Sequence, residues 1–374
     1  MASLKELKAV KSQPGRPLYM VVRDAVRQAI DAGVFQPGEQ MPSTKELSEQ
    51  LEVSLVTTHR ALQELVASGV LQRSQGRGTF VHERYRDRKR TLSDARLGLV
   101  FHQDCSLADY YHSQILEGVR QAAQQLAVDL ILLRFGEDVR NECNGFLFVN
   151  PLPEEIDAFV SQARRKPTLV VGARSHSKLI HWIDVDNVDL ARQAVNHLTE
   201  LGHTSIGYVG GDERISNSRD RWQGFVTTCQ EHHLAPREQH VIRSQSWRLD
   251  ERERMALIRT LSSPSRPTAM FAAGYYFALD VYSASATVGL RVPEDLSVVG
   301  VDDPPSAAHL SPPMTTFRQP LVQLGHAAVT TLFEQIQSDQ MDQTNRLLSA
   351  ELVIRRSTGP APIITTGGVA RQSG

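Results

Sequence analysis

The chain has 374 residues, 41% hydrophobic and 22% charged, with a formal net charge of −1. That length is enough for two or three domains with a sizeable core, and the composition is that of a soluble globular protein rather than a fibrous or disordered one. The charge is unevenly placed: residues 1–90 hold 15 Lys and Arg against 10 Asp and Glu, and the remainder holds 26 against 32, the balance expected of a nucleic-acid-binding head on an acidic sensor body.

No apolar run reaches the roughly 18–20 residues of a membrane span. The opening MASLKELKAVKSQPGR has no apolar core of a secretory signal, so a cytoplasmic protein is expected. Cys105, Cys143 and Cys229 are scattered and odd in number. They suit small buried side chains in a reducing compartment and fit neither a metal site nor a disulfide framework, and no cofactor is implied.

Residues 1–15 read as a disordered arm. From about 17 to 32, Leu18, Val22, Val26, Ala29 and Ile30 recur at three- and four-residue steps, predicting a helix with one buried stripe, closed by Gly33. Pro37-Gly38 makes a turn. Ser43-Thr44-Lys45-Glu46 is a capping box that starts a second helix, with Leu47 and Leu51 facing inward. Ser54 caps a third helix running to about Ser68, with Ala61, Leu62, Leu65 and Val66 as its inner face. Val70–Arg73 and Thr79–Val81 then alternate like strands around a Gln75-Gly76-Arg77-Gly78 tip. Three helices and a hairpin describe a winged helix-turn-helix over residues 16–82, a fold that places a helix in a DNA groove.

Phosphate is met by helix N-termini, hydroxyls and cations. Ser43, Thr44 and Lys45 supply these at the second helix. Ser54, Thr57, Thr58, His59 and Arg60 supply them at the third, and Arg77 between two glycines can approach DNA closely. The plainer alternative is that the serines only cap and the charges are only solvated.

The head resembles the GntR family of bacterial regulators. The matching motifs are Pro17-Leu18-Tyr19, Pro37-Gly38-Glu39, Met41-Pro42-Ser43, Glu46-Leu47-Ser48, Val53-Ser54, Ala61-Leu62 and Gln75-Gly76-Arg77-Gly78-Thr79-Phe80-Val81. The resemblance implies operator contacts from Lys45, Ser54, Leu55, Val56, Thr57, His59, Gln75, Gly76 and Arg77. Leu55 and His59 stand where the family usually carries arginine, the residue suited to bidentate guanine contact. An unusual operator is therefore expected, with Leu55 against a thymine methyl.

Residues 83–95, with Arg84, Arg86, Arg88, Lys89 and Arg90 and no apolar periodicity, read as an interdomain linker. From 96 the pattern changes to strand–helix units. Strands are expected at 97–101, 129–133, 145–149, 168–172, 182–185, 205–209, about 240–243, 268–272 and 296–301. Helices are expected at 109–127, 153–165, 187–201, about 217–232, 250–261 and 276–287. Such alternation predicts an α/β body of parallel, doubly wound sheets in two lobes, with ligands bound beyond the carboxyl ends of the strands.

Residues 96–358 resemble the LacI-type effector domain, itself similar to periplasmic sugar-binding proteins. The motifs are Asp186-Asn187, Leu201-Gly202-His203, Arg221-Trp222-Gln223-Gly224-Phe225, Gly289 through Asp295, Ser297 through Asp303, Thr315-Thr316, Gln319-Pro320, Leu324-Gly325 and Glu351 through Thr358. The resemblance implies effector contacts from Arg221, Trp247 and Asp302, where the plainer alternatives are an interlobe salt bridge, a core ring and a turn residue. Gly274-Tyr275 replaces the family's Asn-Asp, so Tyr275 either stacks on a ligand ring or fills the cleft. About a dozen residues of the family pattern are absent between Leu133 and Gly145. Residues 359–374 read as a disordered tail.

A regulator of this kind, most simply a repressor, would bind a palindromic duplex operator as a homodimer, with helices 109–127 and 320–337 at the interface, and would respond to a sugar or related metabolite. Three alternatives remain at this point: a DNA-binding regulator that no longer senses a small molecule, a transport-type binding module, and an enzyme. No nucleophile motif, phosphate loop, zinc spacing or dinucleotide fingerprint supports the last.

Overall fold

The computed structural model describes residues 17–67, 69–74, 77–83, 95–102, 105–135, 143–163, 166–337 and 345–362. The chain divides at Ala95/Arg96 into two compact units. No helix among the described residues is long and apolar enough to cross a membrane.

In the first unit, α1 (Leu18–Asp31) buries Val22, Val26 and Ile30 at four-residue steps. α2 (Thr44–Leu51) buries Leu47 and Leu51 and ends on Glu52 in the left-handed region at φ 56°. α3 (Leu55–Ala67) buries Thr58, Ala61, Leu62 and Leu65. β1 (Leu71–Ser74) and β2 (Gly78–Val81) pair antiparallel, Leu71 opposite Val81. The three helices and the hairpin share one core that also takes in Phe35, Met41 and Val70.

The second unit holds two six-stranded sheets. In the first lobe the strands are β3 (Arg96–Phe101), β4 (Asp129–Arg134), β5 (Gly145–Val149), β6 (Thr168–Val171), β7 (His181–Val185) and β13 (Arg346–Leu348), in spatial order β13-β7-β6-β5-β3-β4 and all parallel. In the second they are β8 (Ile206–Gly210), β9 (Val241–Arg243), β10 (Ala269–Ala272), β11 (Ser297–Val301), β12 (Thr315–Arg318) and β14 (Glu351–Val353). Their order is β14-β12-β11-β10-β8-β9, with only β14 antiparallel. The helices are α4 (Tyr110–Leu126), α5 (Pro153–Ala163), α6 (Asn187–Glu200), α7 (Ser216–Glu231), α8 (Glu251–Ser262), α9 (Tyr275–Thr287) and α10 (Leu321–Gln337). The central strands are buried along their length, as a sheet covered on both faces requires.

The chain passes between lobes after β7, after β12 and after β13. α10 follows a second-lobe strand but packs in the first lobe. A Cβ at Gly118 of α4 would overlap the carbonyl oxygen of Val322, and one at Gly325 would overlap that of Ile115. These glycines let two helix backbones touch, so the two helices given to a dimer interface by sequence pack against each other along this face.

β12, β13 and β14 are additions to the strands read from sequence. The tail expected from residue 359 is tied at its start: Gly359 N–H donates to Ser297 Oγ at 3.0 Å and Ala361 N–H to Leu201 O at 2.9 Å. The arm 1–15, the linker residues 84–94, the short segment 136–142 and the tail from 363 lie outside the described residues.

Candidate nucleic-acid interface and interlobe site

The capping box of α2 forms as its sequence demands. Glu46 N–H donates to Ser43 Oγ at 3.2 Å, and Ser43 N–H donates to Glu46 Oε2 at 2.8 Å. That backbone donor, with the serine hydroxyl, holds the Glu46 carboxyl below its ordinary range. Thr44 opens the helix half-buried, and Lys45 beside it is exposed.

At α3, Thr57 N–H donates to Ser54 Oγ at 3.2 Å, and the two hydroxyls lie 2.8 Å apart. Thr58 departs from expectation. Its position, three residues before Ala61 and four before Leu62, turns it inward, and it is fully buried with its hydroxyl donating to Ser54 O at 3.2 Å. It is withdrawn as a contact residue. His59 Nε2 lies 3.3 Å from a guanidinium nitrogen of Arg73 on β1, and the Arg60 guanidinium sits 3.9 Å over the Tyr19 ring. Leu55 and Val56 are exposed. In the wing, Arg77 is exposed and its carbonyl accepts from Gln40 Nε2 at 2.9 Å. Gly78 has φ 115°, a backbone conformation that favours glycine; a Cβ there would meet only the movable end of the Gln40 side chain, at 2.7 Å. Gln75 and Gly76 lie outside the described residues.

In the body, Trp247, Tyr275 and Asp302 follow the carboxyl ends of β9, β10 and β11, and Arg221 lies on the helix that follows β8. Arg221 on α7 is buried. Its Nε donates to Asn187 Oδ1 at 2.8 Å, Nη1 to Ala273 O at 2.8 Å and Nη2 to Gln319 Oε1 at 3.4 Å. Its partners are neutral, so it is not the interlobe salt bridge weighed from sequence. The residue before it takes that part: Asp220 meets Arg174, which follows the end of β6, at 3.1 Å. Asn217 adds donors to Asn150 Oδ1 at 3.1 Å and Gly172 O at 3.2 Å, and Ser216 Oγ accepts from Arg174 N–H at 2.8 Å. These contacts join the lobes across the start of α7, and sequence reading named none of them.

Asp184, at the end of β7, is buried, and burial pushes its carboxyl up to about 7 against the opposing Val185 N–H and Arg221 charge. Asp302 adopts φ 74°, accepts from Gln319 Nε2 at 2.6 Å and is raised by burial, with Arg221 opposing. Tyr275 is half-buried and its hydroxyl lies 2.7 Å from Ser306 Oγ. Trp247 is 39% exposed, so it is not the core ring of the plainer alternative. Its neighbour Arg248 lies 3.9 Å over the Tyr276 ring.

The facing rim is the start of α4. Asp109 caps the helix through His112 N–H at 3.0 Å and holds the imidazole Nδ1 at 2.9 Å. Burial lowers the His112 pKa, but the hydrogen bonds to Asp109 and Cys105 outweigh it and bring the group to about 9. Among the described residues no His, Cys, Asp and Glu cluster could hold a metal ion.

Comparison with known proteins fits this geometry. Residues 18–81 match the family described as bacterial regulatory proteins, gntR family, and residues 195–358 match the periplasmic binding protein-like domain. The chain is a GntR-type winged helix-turn-helix joined to a periplasmic-binding-protein-like body. It is similar to the HTH-type transcriptional repressor CytR of Escherichia coli (strain K12), 27% identical over 87% of this chain and 98% of that protein. It is also similar to the arabinose metabolism transcriptional repressor of Geobacillus stearothermophilus, 25% identical over 91% and 98%. Among solved structures, the Lac repressor dimer bound to operator and the anti-inducer ONPF matches with a TM-score of 0.63 and 25% identity, over 75% of this chain and 99% of that one.

Proposed function

We propose that the chain is a sequence-specific DNA-binding transcriptional regulator, a repressor without enzymatic activity. Its operator affinity would be controlled by a small ligand bound between the two lobes of the body. The observation that carries this reading is the alignment with a transcriptional repressor across nearly that protein's whole length, spanning head and body together. Lys45, Ser54, Leu55, Val56, Thr57, His59, Arg60 and the wing tip 75–78 would meet the duplex, with Ser43 and Thr44 at the start of α2. Arg221, Trp247, Tyr275 and Asp302 would meet the effector, a sugar or related metabolite. A homodimer reading a palindromic operator in the cytoplasm completes the proposal, with residues 16–82 and 96–358 as its two working domains.

The ligand acts by binding the two arrangements of the lobes unequally. Arg174–Asp220 and Asn217–Asn150 are the contacts such a change would make or break. A second reading keeps DNA binding and drops small-molecule sensing. It is favoured by one observation: Arg221, Asp302 and Tyr275 already have protein partners. Selection of operator duplexes from random DNA tests the first claim. A thermal-shift screen of sugars and sugar acids separates the two readings, because a bound ligand raises apparent stability.

A further inference from the structure

The first turn of α3 carries two aliphatic side chains in open solvent. Leu55 is 53% exposed and Val56 79%, whereas Leu62 and Leu65 on the same helix are buried. Neither outward residue serves the head's core. The polar side chains around them are turned to partners within the head: Ser54 and Thr57 to each other, Thr58 inward, His59 to Arg73 and Arg60 to Tyr19. Leu55 and Val56 thus stand exposed beside the exposed polar side chains of Ser54, His59 and Arg60, and Lys45 and Arg77 are exposed cations of the same head. Exposed cations suit phosphate, and neither leucine nor valine can hydrogen-bond a base edge. The major-groove feature that rewards an aliphatic contact is the C5-methyl of thymine.

We propose that Leu55 and Val56 read thymine C5-methyl groups in the major groove, so that the operator half-site is specified there by methyl contact in place of arginine–guanine pairing. The proposal rests on reading α3 as the recognition helix. It goes further by naming which atoms of the bases are read.

The test uses the full chain and the duplex that it selects from random DNA. Each thymine of the half-site is replaced in turn by deoxyuridine, which removes the methyl alone. Binding should weaken about fourfold for each methyl lost from contact, at one or two positions per half-site. Leu55→Ala with Val56→Ala should lose affinity on the thymine duplex and match the unaltered protein on the uracil duplex. Equal binding of thymine and uracil duplexes by the unaltered chain overturns the proposal. So does an equal loss by the variant on both duplexes, or a variant that binds as before but changes its oligomeric state, which would mark a protein-docking patch. If no duplex is selected at all, the DNA-binding reading itself fails, a result distinct from these.

Discussion

The head and the body present their candidate residues in opposite ways. On α3, Leu55 and Val56 stand exposed without serving the head's core, a surface complete before any partner arrives. In the body, Arg221 is buried with three protein acceptors, and Asp302 and Tyr275 each hold a protein partner. On the proposed reading the head would be a preformed reader, while the cleft holds a polar network whose bonds a ligand would have to exchange. Exchange is what a switch needs, since only unequal binding to two arrangements moves an equilibrium.

The largest expected effect tests the body's half of that comparison. Arg221→Met leaves Asn187, Ala273 O and Gln319 short of a donor and should cost the body about 3 kcal/mol in denaturant unfolding. The head's affinity for nonspecific duplex should be unchanged. An unaffected body would mean that the network is ornamental to stability.

His112→Gln sharpens the same half. The folded-state pKa of about 9 exceeds the ordinary 6.5, so the Asp109 pair stabilises fully below the unfolded value and is lost as pH rises through about 9. The unaltered chain should lose up to about 3 kcal/mol between pH 6.5 and pH 9.5, and the variant should lack that slope. Parallel pH profiles would contradict the pairing.

Smaller effects test the head. Ser43→Ala removes the capping box and should cost about 1 kcal/mol, read as earlier melting of the head in hydrogen exchange. Leu55→Ala should change stability by less than about 0.5 kcal/mol, since an exposed side chain packs little. A large loss of stability there would show that this side chain belongs to the fold.

The head was legible in sequence because each signal was local. The Ser43–Glu46 spacing gave the α2 start, and four-residue apolar steps gave α1. Thr58 was misplaced because its hydroxyl suggested DNA, while its position on the helix put it inside. In the body, long buried strands such as Gly145–Val149 stood out as apolar runs. β13 and β14 did not, because they are three residues long and partly exposed, with no burial pattern to read. Arg174 and Asp220 were missed because their pairing depends on two lobes meeting, which residue spacing does not encode. Asp184 became visible as an unusual carboxyl only once the fold had buried it.

The central claim, that this chain grips duplex DNA through α3 and the wing, is tested most directly by titrating the full chain against its selected duplex over a range of salt. The account predicts a defined palindrome whose affinity falls linearly with log salt, the slope shrinking when Lys45 or Arg77 is replaced by alanine. Failure to enrich any sequence, or an affinity indifferent to salt, would contradict it.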